Sequence, residues 1–151
     1  DGFLKAEQCA NVTFRNCSID GRAPGKPSLA GSYGYNAFLV VNFRMINCTM
    51  ENIQDRSRWG VIATNFMKNI LIEDCVLSRM DVHQGVSGDY IIRRTTLGHP
   101  GLPIGPPRDE RPFPYALTRE LTVRGLKTAS GLPPSVCDNP EVVRTITVMM
   151  E

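Results

Sequence analysis

The stretch NILIEDCVLSRMDVHQGVSGDYIIRRTTLGH, Asn69 to His99, carries one short pattern twice. Ile70, Ile72, Cys75 and Leu77 are followed by Tyr90, Ile92, Thr95 and Leu97, both reading apolar-x-apolar-x-x-small-x-apolar. Alternation with period two marks a strand, and the two-residue skip marks a bend before a second short strand. The same template fits Val12, Phe14, Cys17 and Ile19, then Phe43, Met45, Cys48 and Met50, and finally Leu121, Val123, Leu126 and Thr128. Its small position falls at 17, 48, 75, 95 and 126, at intervals of 31, 27, 20 and 31 residues. A unit near 20 residues with insertions of variable length is the mark of a solenoid whose loops grow from one side.

Helix is not expected. Gly and Pro interrupt every window long enough for an amphipathic helix. The competing all-β arrangement is a sandwich, but sandwich strands have no reason to repeat one residue class at one template position. At 151 residues the chain fits a single domain, 1–151, with a continuous core. Two excursions stand out: a Gly- and Pro-rich loop at 20–37, and a loop at 98–117 with prolines at 100, 103, 106, 107, 112 and 114. Such proline density excludes a central strand or a continuous helix there. Candidate strands lie at both ends of the chain, so it reads as an excerpt or processed form of a longer solenoid.

Seventeen Lys and Arg against fifteen Asp and Glu leave a net charge of +2, too balanced to point to nucleic acid or a membrane surface. No apolar run reaches the roughly 18 residues of a membrane span. The five cysteines include no CxxC pair and fit no zinc module, so no metal is expected. Cys17, Cys48 and Cys75 hold one template position, which predicts a buried column of thiols at about the strand spacing of 4.8 Å. That spacing also lies within the range a disulfide allows. Asn16 and Asn47, each in a sequon, share another position, where an asparagine at a bend is expected to bond neighbouring backbone amides. No phosphate loop, nucleophile elbow or metal-binding helix motif is present, and no cofactor is expected.

The segments NVTFRNCSI, FRMINCTM and NILIEDCVL resemble the coils of right-handed parallel β-helix proteins, the pectate-lyase-like superfamily. RWGVIATNFMKNILIEDCVLSRMDVHQGV is further similar to a segment of uncharacterised bacterial and phage-associated β-helix proteins. The resemblance implies an all-β fold, a right-handed parallel β-helix of about five to six coils with loop excursions on one side. It also implies a secreted or virion-associated setting. The superfamily includes polysaccharide lyases, glycoside hydrolases, epimerases, tailspikes and adhesins, so fold alone does not choose the activity.

If each template ends a strand, the segments after Ile19, Met50, Leu77, Leu97 and Thr128 emerge on one flank. A flank with both signs of charge, a tryptophan and tyrosines suits a hydroxyl-rich chain, because aromatic faces cover sugar rings while Arg and carboxylates bond hydroxyls or acid groups. SRMDVHQG is its sharpest local signal. Asp81 and His83, two residues apart, face the same way on an extended segment, so Asp81 can orient or ionise His83 as a proton-transfer group. Arg58 and Arg79 are candidate clamps for a substrate carboxylate, Trp59 a candidate sugar platform, and His99 a contributor from the next coil. Asp81 faintly resembles, with His83, the Asp-Pro-His of mannuronan epimerases, although Val82 stands in place of the proline. In the bland alternative Asp81 pairs with Arg58 or Arg79, and His83 packs at a corner. A carboxylate pair of Asp81 with Asp55, Asp109 or Glu110 is a further arrangement, for glycoside hydrolysis. The sequence thus points to a carbohydrate-active protein of lyase, epimerase or hydrolase type. The alternatives are a non-catalytic glycan-binding adhesion or phage tail module, or a structural scaffold. Expected partners are a polysaccharide or glycan, and a homo-oligomer or a continuation of the solenoid.

Overall fold

The computed structural model describes residues 2–20, 33–51, 62–65, 67–77, 80–82, 86–97, 118–125, 127–128 and 143–149. These form strands and no helix. In chain order they are β1 (Gly2–Glu7), β2 (Ala10–Arg15), β3 (Ser18–Asp20), β4 (Tyr33–Phe38), β5 (Val41–Ile46), β6 (Thr49–Glu51), β7 (Ile62–Asn65), β8 (Met67–Glu73), β9 (Val76–Leu77), β10 (Met80–Val82), β11 (Val86–Arg93), β12 (Thr96–Leu97), β13 (Thr118–Arg124), β14 (Lys127–Thr128) and β15 (Val143–Met149). The fold is all-β, and every strand pair is parallel. Three sheets result, ordered β1-β4-β7-β10, β15-β13-β11-β8-β5-β2 and β14-β12-β9-β6-β3. Four times in succession the chain visits the four-stranded, then the six-stranded, then the five-stranded sheet.

The repeated template is what the register aligns. Val12 faces Phe43, Phe43 faces Ile70, and Tyr90 faces both Ile70 and Leu121; Phe14, Met45, Ile72, Ile92 and Val123 form the next row. Phe43, Met45, Ile72, Tyr90, Ile92 and Val123 are fully buried. Parallel in-register pairing sets like residues on like, so each template position becomes a column and the alternate residues stay outside. Phe14 and Phe43 meet edge to face, with ring centroids 6.0 Å apart.

Each bend uses a left-handed residue. Asn16, Asn47, Asp74, Arg94 and Gly125 all have positive φ and precede the small template position. Asparagine, aspartate and glycine tolerate that region, whereas Leu39 and Arg94 carry some strain there. The side chains of Asn16 and Asn47 depart from the expectation of backbone bonding: Asn47 Nδ2 donates to Asn16 Oδ1 at 2.8 Å. The two bends stack, with Asn16 N donating to Ile46 O and Thr49 N to Cys17 O, which sets each amide beside its counterpart. β4 starts at Tyr33, inside the span 20–37 read as a loop, because its backbone pairs with both β1 and β7. The span 98–117 lies outside the described residues.

Candidate functional site

One row of residues runs through all five strands of the third sheet. Ile19 faces Met50, Met50 faces Leu77, and Leu97 faces both Leu77 and Thr128. The segments that follow, 21–32, 52–61, 78–79, 98–117 and 129–142, lie outside the described residues. Leu77 leads within three residues to β10, the last strand of the four-stranded sheet. Asp81 sits at its centre, paired through the backbone with Ala63 of β7. Arg58, Trp59, Arg79, His83 and His99 lie outside the described residues, as do Asp55, Asp109 and Glu110.

At the bend between the second and third sheets stands the cysteine column. Backbone bonds run Thr49 N to Cys17 O, Val76 N to Cys48 O, Thr96 N to Cys75 O and Lys127 N to Thr95 O, all within 2.9–3.0 Å. Cys17, Cys48 and Cys75 are free thiols, and each donates to the carbonyl two residues earlier, on Arg15, Ile46 and Glu73 respectively. Thr95 makes the same bond to Arg93 O at 3.0 Å. Threonine can replace cysteine here because it too is small and has one donor to send back along its own strand. Leu126, the fifth member by sequence, lies outside the described residues.

Burial pushes the Cys48 thiol above its ordinary range and the Cys75 thiol up to about 11. These are structural thiols, not nucleophiles. Iodoacetamide is expected to modify Cys75 roughly 100-fold more slowly in native protein than in urea, read by peptide mass spectrometry. Equal rates in the two states would contradict the burial. The same shift links to stability: with its folded pKa above the unfolded value, the Cys75 contribution is complete below about pH 9 and is lost as pH rises through about 11.

Beside this column the outer surface carries charge. Arg94 binds Asp74 with both ends of its fork, Nε to Oδ1 at 2.6 Å and Nη2 to Oδ2 at 2.9 Å, and Nη2 also reaches Glu73 Oε1 at 2.7 Å. Hydrogen bonding to Arg94 holds the Asp74 carboxyl below the usual carboxylate range. Its stabilising share is therefore present above the unfolded pKa near 4 and fades as pH falls through the lowered value. Solvent exposure makes that share small and salt-sensitive. Asp74 and Arg94 occupy the bend position held by asparagines earlier in the chain, so the ion pair continues by charge what the amides do by hydrogen bonding. Among the described residues no group of three His, Cys, Asp or Glu is placed to hold a metal, and no helix is long and apolar enough to cross a membrane.

A second surface escaped the sequence reading. On the outer face of the six-stranded sheet a cleft of about 250 Å³ lies across β5, β8 and β11. It accompanies an irregularity in β11, where Ser87 faces Lys68 and Tyr90 faces Ile70, leaving Gly88 and Asp89 opposite Asn69. A glycine within a strand pattern is the signal that marks such a bulge. No protein-family model, curated protein or solved structure matches the chain.

Proposed function

We propose that the chain winds as a right-handed parallel β-helix and acts on a polysaccharide along the flank where its excursions emerge. The observation that carries this reading is the register of Ile19, Met50, Leu77, Leu97 and Thr128. In this reading the excursions leave from that row and gather side chains from distant segments onto one surface, the arrangement by which repeat folds bind extended ligands. Asp81 follows directly from one of these departures. In this reading Asp81 orients and ionises His83 for proton transfer, Arg58 and Arg79 hold acid groups of the substrate, Trp59 covers a sugar face, and His99 joins from the next circuit. The chemistry is of lyase, epimerase or hydrolase type, carried by a secreted or virion-associated protein without a cofactor.

The test is incubation of the full chain with alginate, pectate and hyaluronan, read by reducing ends, by unsaturated products and, for epimerisation, by the uronate composition of the polymer. Replacing His83 by alanine is expected to abolish turnover while the circular dichroism spectrum and thermal melt stay unchanged. Undiminished turnover in that variant removes Asp81 and His83 from the mechanism. Retention of a glycan with no change in the polymer would instead identify a binding module.

A further inference from the structure

We infer that the cleft on the outer face of the six-stranded sheet is a second glycan site, built to hold one uronic-acid residue; this rests on the proposal that the protein's ligand is a polysaccharide. The lining residues form two columns. Asn42 and Asn69, with Asp89 after them, make one; Arg44, Leu71 and Ile91 make the other, in register across the three strands. The columns stand two residues apart, about 6.6–7 Å along the strands, and three strands span roughly 10 Å. Phe43 and Ile70, between the columns, are buried in the core, so strand backbone forms the floor.

The asparagine column is a fixed row of hydrogen-bonding groups. Asn42 Nδ2 donates to Asn11 Oδ1 at 2.9 Å, Asn69 Nδ2 donates to Asn42 Oδ1 at 3.0 Å, and Asp89 N donates to Asn69 Oδ1 at 3.2 Å. One amide hydrogen on Asn42 and one on Asn69 remain for a ligand hydroxyl. Because the ladder already holds these side chains, binding orders little that was free. The bulge at Gly88 ends the ladder and brings Asp89 into the lining, a common use of an extra residue in a strand.

Arg44 supplies the charge preference. It is exposed and lines the cleft, and a guanidinium binds a carboxylate through paired hydrogen bonds. Half-buried Leu71 and Ile91 beside it offer an apolar strip for a ring face. An acidic sugar satisfies all three kinds of group at once: its acid group on Arg44, its hydroxyls on Asn42 and Asn69, and its ring on the aliphatic strip.

Titration of the isotopically labelled full chain with glucuronate and, separately, with glucose tests the site. Glucuronate is expected to shift the backbone amide signals of Asn69, Leu71 and Asp89. Arg44→Ala is expected to weaken glucuronate roughly 10-fold while leaving glucose within about 2-fold. Silence at those three amides with both sugars overturns the site, as does unchanged glucuronate affinity in Arg44→Ala. Shifts confined to the neighbourhood of Asp81 overturn the cleft and leave the polysaccharide reading intact. Shifts in the cleft of a protein that neither alters nor retains any polysaccharide uphold the cleft and remove the polysaccharide reading.

Discussion

Replacing Phe43 by alanine is expected to lower folding stability by about 3–5 kcal/mol. Phe43 is fully buried, in the middle of β5, with Val12 on one side of it in register and Ile70 on the other. Alanine removes most of the ring's transfer free energy and leaves a cavity that two hydrogen-bonded neighbours prevent from closing. It also removes the edge-to-face contact with Phe14, worth about 0.5–1.5 kcal/mol beyond burial. Urea denaturation followed by circular dichroism measures the loss, and hydrogen exchange locates it. Amides of β2 and β8, the two strands paired with β5, should exchange faster than those of β13 and β15. A loss below about 1 kcal/mol would mean that the core there is not packed as described.

The second large effect concerns Gly88, where alanine is expected to cost about 2–3 kcal/mol. Its φ is +72°, a region in which any Cβ is strained, roughly 1–2 kcal/mol for an L-residue. The added carbon would also stand on Asn69 Oδ1, too close for both atoms to stay. A free side chain could swing aside cheaply, but Asn69 is held by its bond to Asn42 and accepts from Asp89 N. Moving it breaks the end of the ladder, about 1 kcal/mol for each hydrogen bond lost. The control is Asn69→Gly, which keeps the positive φ of that position and removes the colliding oxygen. In an Asn69→Gly background the Gly88→Ala change should cost only the backbone term, measured as a coupling of about 1 kcal/mol in a double-mutant cycle. Additivity of the two changes would show that Asn69 and Gly88 do not meet.

Much of the fold was legible because one local requirement recurs. Inward positions must be apolar, the bend must admit a left-handed residue, and the slot after it must be small; parallel pairing then converts recurrence along the chain into columns. Cys17, Cys48, Cys75 and Thr95 were readable as one column for that reason. The two asparagine rows were only half readable. Asn16 and Asn47 shared a template position, but Asn11, Asn42 and Asn69 sit one residue before the template begins, and nothing local distinguishes an amide that bonds backbone from one that bonds its counterpart one repeat away. The flank told a similar story. The row Ile19, Met50, Leu77, Leu97 and Thr128 follows from the template, whereas Asp81 acquires a neighbour, Ala63, only through pairing of β10 with β7.

The sequence by itself determined that the chain is built of repeated β units, which residues face the core and where the small side chains stack, since each depends on residue type and on periodicity within a few positions. Tertiary structure decided what crosses between repeats: the Asp74–Arg94 pair, the asparagine ladder, and the extra residue at Gly88 that opens a cleft beside Arg44. Those contacts join residues 20 to 31 positions apart. Their geometry is set by strand register, and a shift of one residue in register changes every partner without changing the pattern of the sequence.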